Sequence, residues 1–398
     1  MAKNTHLEHL EDDILNQGSQ GGFNAIAFLR ELGKMLSRQS SGITITTKWD
    51  GAPAVICGID PEKNKFFVGT KSVFAKTEPK LCYTQEDITR FYGTSELAEK
   101  LRTCLTYFPK LGIRGVLQGD LLFTTNKVYT NIGGENVIAF RPNTITYTVP
   151  INSTFGNKID AAKVGIVFHT SYSGPTVSEM SAGFGVDVSS LNEVPEVYVA
   201  SASFADASGA ANFSQQQIVA YNAAVNRAEG SLRQASSFLD VLKQTGESKF
   251  LMSTLFKQFF NTYVRAGMAL PNAKKVTDDF ARYYISLLDK EVLSKKTKAA
   301  QDKYLKMKTD GLKFIAANDR AIYMTVASYM NLQTAKLMIV NQLSKVTTFG
   351  TFIQTDDGYK VTAPEGFVAI KSGNALKLVD RLEFSRSNFT IAKNWDKG

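Results

Sequence analysis

The spacing of apolar residues changes period twice along this chain, and that double change restricts its fold more than any single motif. From Gly42 to about Phe168 the pattern is one of short β-branched or aromatic runs: GITITTKWD, APAVICGID, KFFVGTKS, GVLQGDLLF, KVYTNI, NVIAF, TITYTV and KVGIVFHTS. Such runs are the signature of half-buried strands. A helix at about residues 85–107 interrupts them. Residues 214–345 then hold helical spacing almost continuously, and breaks near QTGES, LPNAKK and KTDGLK predict four or five helices. After Phe349 strands return in GTFIQTDDGYKVTAPEGFVAIKSGNALKLVDRLEF, with Asp357-Gly358 as a hairpin turn. The order predicts an α+β protein whose mixed antiparallel sheet carries a large all-α insertion ahead of its last strands.

Residues 5–38 read as two helices broken at NQGSQGG, because Leu7, Leu10 and Ile14 keep helical spacing before the glycines and Phe23 to Leu36 resume it. SGPTVSEMSAGFGVDVSS and ASASFADASGAANFS are rich in Ser, Gly and Ala and predict a connector. The expected divisions are N-terminal helices at 1–40, the first part of the β core at 41–173, a connector at 174–213, the helical insertion at 214–347 and the last strands at 348–398. No period of about 20–50 residues repeats, which argues against solenoids and propellers.

A net charge of +9 favours an anionic partner, nucleic acid first. Seven lysines between Lys295 and Lys313 form either a solvated helix face or a phosphate-contacting surface. Cys57, Cys82 and Cys104 show no CxxC or zinc-like spacing, as expected of reduced thiols in a cytoplasm. The amino terminus lacks the apolar core of a signal peptide, and no run approaches about 18 apolar residues, so a soluble, unexported protein is expected. His6 and His9 share a helical face with only Glu8 and Asp12 to join them, which favours a solvated surface over a metal site. With three histidines and no GxSxG, serine hydrolysis is poorly supported; GxxxxGK[ST] and GxGxxG followed by a helix are also absent.

TTKWDGAPAVICG holds the candidate nucleophile. Lys48 precedes Asp50-Gly51 at a strand end, where burial or neighbouring positive charge lowers an amine's pKa toward reactivity. FFVGTKS supplies Lys71, LQGDLLF supplies Asp120, EGFVAIK supplies Glu365 and Lys371, and NALKLVD supplies Lys377. In this order the elements resemble those of the covalent nucleotidyltransferase superfamily, comprising ATP-dependent DNA ligases, RNA ligases and messenger-RNA capping enzymes, and most of all the phage RNA ligase branch. The resemblance covers residues 44–172 and 359–384. The layout is also similar to that of tailed-phage proteins, which implies the host-cell cytoplasm.

The resemblance implies a nucleotidyltransferase core, ATP-grasp-like in its ligase form, in which Lys48 forms a lysyl-AMP intermediate. It further implies that Thr47 reads the adenine edge, that Asp50 and Gly51 lie beside the ribose and metal, and that Lys71 touches ribose or phosphate. Asp120 would bind the ribose hydroxyls, Phe168 would stack on the base, Glu365 would hold Mg²⁺ or Mn²⁺, and Lys371 and Lys377 would approach the α-phosphate. The implied reaction joins 5′-phosphate and 3′-hydroxyl ends, RNA favoured over DNA. This chain departs from the family pattern at Val379, where a second lysine is usual and for which Lys371 or Arg381 is the expected substitute. It departs again at His169, where aspartate is common. About twenty residues follow Lys377, too few for a carboxy-terminal OB domain. Other readings are a DNA ligase, a GTP-using capping enzyme, a protein-modifying nucleotidyltransferase, or an inactive nucleic-acid-binding or structural phage protein. Arg141 and Asn143 around Pro142 read equally as a hairpin connection or a contacting turn and are placed outside the site.

Overall fold

The computed structural model describes residues 7–132, 134–203, 211–242, 244–246, 250–346, 350–355, 358–361 and 365–382. The N-terminal part forms α1 (Asp13–Asn16) and α2 (Ser19–Leu36). The break between them is narrower than the glycines predict, and Gly21 and Gly22 lie inside α2. Three strands follow, β1 (Thr44–Lys48), β2 (Ala54–Ile59) and β3 (Phe66–Gly69), and then α3 (Gln85–Tyr92) and α4 (Glu96–Tyr107). Two helices replace the one expected there because Gly93 closes α3 at φ +62° and the Ser95 side chain accepts from the Ala98 amide to open α4.

The chain continues through β4 (Val116–Phe123), β5 (Val128–Ile132), β6 (Glu135–Phe140), β7 (Ile145–Pro150), α5 (Thr154–Ala161) and β8 (Val164–Ser173). The expected connector contributes two strands, β9 (Ser181–Phe184) and β10 (Val197–Ala200). Both join β8, β9 antiparallel and β10 parallel. Backbone pairing with an existing strand needs no side-chain alternation, so the small residues of β9 concealed it, whereas β10 is the short β-branched and aromatic run VYVA within the Ser- and Gly-rich stretch.

The insertion consists of α6 (Gln215–Leu242), α7 (Met252–Ala266), α8 (Ala273–Ser294), α9 (Lys298–Ala317) and α10 (Asp319–Leu343). Strands β11 (Gly350–Thr355), β12 (Gly358–Val361), β13 (Gly366–Lys371) and β14 (Asn374–Val379) follow. β11 and β12 pair antiparallel, and Asp357 of the expected turn lies outside the described residues.

Among the described residues the strands make three sheets, ordered β1-β13-β14, β10-β8-β4-β2-β3 with β9 on β8, and β12-β11-β7-β6-β5. β13 and β14 therefore complete the sheet that β1 opens, while β11 adds to β7. In the three-stranded sheet, alternation separates two surfaces. Ile45, Phe367, Ala369, Leu376 and Leu378 join the large core shared by the N-terminal helices and the insertion. Thr46, Lys48, Val368 and Ile370 face a cleft toward the six-stranded sheet. Among the described residues no helix is long and apolar enough to cross a membrane.

Candidate active site

Lys48 ends β1 opposite Gly366, the first residue of β13. Gly366 has φ +150°, and a Cβ there would stand 2.4 Å from the Leu378 carbonyl oxygen, so this close three-strand crossing requires glycine. Its neighbour Glu365 is thereby brought to Lys48, and Lys48 Nζ donates to Glu365 Oε2 at 2.5 Å. Asp120 reaches the cleft from β4, where His169 Nε2 lies 3.4 Å from Asp120 Oδ2. Gly51 lets the loop after β1 lie against this strand, since a Cβ would come within 2.6 Å of the Asp120 Cβ.

Burial pulls the Lys48 pKa down, but the carboxylates of Glu365, Asp120 and Asp50 outweigh it and hold the ammonium above its ordinary value. The expectation of a lowered Lys48 pKa is thus reversed. Burial pushes Glu365 up to about 7 against the attraction of Lys48. Asp120 is also penalised by burial, yet His169, Lys48 and Lys71 bring it below the usual carboxylate range. Lys377 has a lowered pKa, through burial and the charge of Lys48. It pairs across the sheet with Val368 and therefore shares the cleft face.

Not every expected site residue arrives here. Thr47 borders the cleft and donates its amide to the Ala202 carbonyl at 2.7 Å. Lys71, itself exposed, opens the half-buried turn after β3, near enough to Asp120 to lower the carboxyl's pKa. Asp50 is a correction: it is buried and engaged in structure, its Oδ1 accepting from Asn143 Nδ2 at 2.8 Å and its Oδ2 from the Thr144 and Ile145 amides at 2.6 and 2.7 Å. It clamps the β6–β7 hairpin, which settles Asn143 as a turn residue. Phe168 is a second correction, fully buried on the opposite surface of β8 and edge-to-face with Phe108 at 6.1 Å.

Lys371 lies at the far end of β13 from Gly366, about 16 Å away by strand rise. Its charge acts on Glu31 instead. Arg381 is no substitute for the missing lysine either, because its Nη1 donates to Asp12 Oδ1 and to the Tyr329 hydroxyl, both at 2.8 Å. His9, expected on a solvated face, is held well below its ordinary pKa by burial and nearby cations.

Sequence reasoning missed Phe184, His169, Val167 and Leu7 as lining residues. The space they enclose has a volume of about 70 Å³. A ligand of drug or nucleotide size occupies roughly 300 Å³ or more, so a wall must move for one to enter. Leu7 precedes the first helix and belongs to no strand. Among the described residues no three His, Cys, Asp or Glu side chains assemble to hold a metal by themselves.

One family model matches residues 4–393, and its description is a family of unknown function, DUF6267. Comparison with curated proteins and with solved structures gives no match.

Proposed function

The chain belongs to DUF6267, and from its cleft we propose an ATP-dependent RNA ligase-like nucleotidyltransferase that works through a lysyl-AMP intermediate. The observation that carries this reading is the meeting of Lys48, Glu365, Asp120 and Lys377 in one cleft although they are drawn from strands up to 329 positions apart, 377 less 48. Lys48 Nζ would attack the α-phosphorus of ATP, forming a phosphorus–nitrogen bond as the bond to the bridging oxygen breaks and pyrophosphate leaves. The ammonium first has to lose a proton, and Glu365, hydrogen-bonded to it and with a pKa of about 7, is matched to accept it. Lys377 faces the same space and would offset the charge that builds on phosphorus.

AMP would then pass to a 5′-phosphate, and a 3′-hydroxyl would displace it. Phe184 opposite Val368 and Ile370 offers apolar walls for a base, and Asp120 a carboxylate for the ribose. Mg²⁺ or Mn²⁺ fits this donor set, since Mg²⁺ commonly takes one or two carboxylates with the rest of its oxygens from phosphates and water. Asp120 would hold it in place of Glu365, whose carboxyl is taken up by the Lys48 proton, and when bound it would shield the triphosphate.

The ion pair also favours a second reading, a nucleic-acid-binding protein without catalysis, because a protonated Lys48 is not nucleophilic. Incubation with α-labelled ATP and Mg²⁺ or Mn²⁺ separates the two. The ligase-like reading expects label that survives denaturing electrophoresis and disappears in Lys48→Ala. Equal label in the variant, or salt-sensitive RNA binding with no label in either protein, overturns it. Competition by GTP and NAD identifies the nucleotide.

A further inference from the structure

We propose that the groove between the end of α1 and the exposed side of α7 binds the phosphates of a single-stranded polynucleotide, and so serves as the strand-holding subsite beside the cleft. This inference rests on the polynucleotide-joining reading for its biological meaning, although binding can be measured without it. The groove has a volume of about 370 Å³ and is lined by Asn16, Ser253, Thr254, Lys257, Gln258 and Asn261, with Leu15. None of these is acidic. The α7 positions fall at helical spacing on one face, so hydroxyl, amide and ammonium donors form a continuous stripe.

Two donors are left over. Lys257 Nζ donates to Asn16 Oδ1 at 2.8 Å and to Glu8 Oε2 at 3.2 Å, which uses two of its three hydrogens. The first bond fixes the Asn16 amide with its oxygen toward Lys257, and its Nδ2 is buried with no partner among the described residues. A buried donor without an acceptor costs free energy that a bound acceptor recovers. Amides, hydroxyls and lysines are the side chains that contact phosphate and sugar oxygens in nucleic-acid complexes, and the Glu8 carboxylate meets Lys257 from outside the groove lining.

Position supports the same conclusion. Glu8, which holds Lys257, accepts the Lys377 amide at its own carbonyl oxygen at 2.9 Å, so the groove lies one residue's width from the strand that carries Lys377. The lysine-rich α9 is a weaker candidate. Lys295 pairs with Glu291 on α8, Lys308 with Asp289 on α8, and Lys306 with Asp310.

The test uses the full chain and a fluorescent 5′-phosphorylated single-stranded RNA 12-mer, followed by anisotropy across a salt series. Lys257→Met should weaken binding at least fivefold and lower the slope of log K against log salt by about 0.7, the value of one single-strand phosphate contact. Gln258→Glu, an exposed change that puts negative charge into the groove, should weaken it as much. Glu8→Gln breaks the same ion pair but leaves the cation in place, so it should bind as tightly as wild type or tighter. Should Glu8→Gln weaken binding as Lys257→Met does while Gln258→Glu has no effect, the lysine only anchors the N-terminal segment and the proposal is wrong. Competition by inorganic phosphate at equal phosphate concentration would mark a site for the free anion and overturn the strand assignment. ATP labelling of Lys48 is read in parallel. Its absence from wild type with an intact RNA response would sink the ligase-like reading alone, whereas label in every variant with an unchanged RNA response would sink the groove alone.

Discussion

At the scale of single residues, Phe168 and Phe184 show what a sequence leaves open. KVGIVFHTS is apolar on both surfaces of its strand, so nothing in the run says whether Phe168 or its neighbours face the cleft. Parity is decided by pairing with β4, which turns Val167 and His169 inward and sends Phe168 into the core under α4. Phe168→Ala should therefore cost about 3–5 kcal/mol in a denaturant melt through loss of a buried ring. Phe184→Ala should melt close to wild type but raise the KM for ATP in the labelling reaction about tenfold, in line with roughly 1–3 kcal/mol of base stacking. The reverse pattern would return the stacking role to Phe168. Lys48, Asp120, Glu365 and Lys377 were legible because each sits at the edge of an apolar run beside glycine or in a fixed order. Asp50 looked equally functional, and only its bonds to the β6–β7 turn reveal its structural work.

At the scale of elements, the helices of the insertion were visible from periodicity, since five long amphipathic segments each repeat their pattern several times. β9 was not, because a four-residue strand of Ser, Ala and Gly with one Phe carries no such signal, and β10, although VYVA is β-branched and aromatic, is too short a run to stand out from the connector around it. The three-stranded sheet depends on one position that the sequence does mark. Gly366→Ala would push a methyl group against the Leu378 carbonyl and impose a φ that L residues rarely adopt. A loss of at least about 1–3 kcal/mol is expected, together with loss of labelling as Glu365 moves from Lys48. Unchanged melting and labelling would show that the crossing tolerates a side chain.

For the molecule as a whole, the insertion is fastened to the N-terminal segment and to the β part through buried polar groups as well as through its apolar core. Lys336 on α10 pairs with Glu11 at 2.6 Å with neither side chain exposed, and Arg381 just past β14 pairs with Asp12 and bonds Tyr329. Arg381→Met should cost about 3–5 kcal/mol by stranding Asp12, and the added change Asp12→Asn should recover much of it in the same melt. If the double variant is no better than the single one, the arginine acts by packing alone. Neither ion pair could be read from the sequence, as the partners are separated by more than 300 positions.

The interleaving of early and late strands also has a consequence for synthesis. A ribosome has produced Lys48 long before it reaches Glu365 and Lys377, so a stalled or truncated chain carries the amine without its hydrogen-bond partner Glu365 or the partner strands β13 and β14. The proposed chemistry at Lys48 would have to wait for translation to pass residue 379, because only then can β13 and β14 complete the sheet that β1 opens.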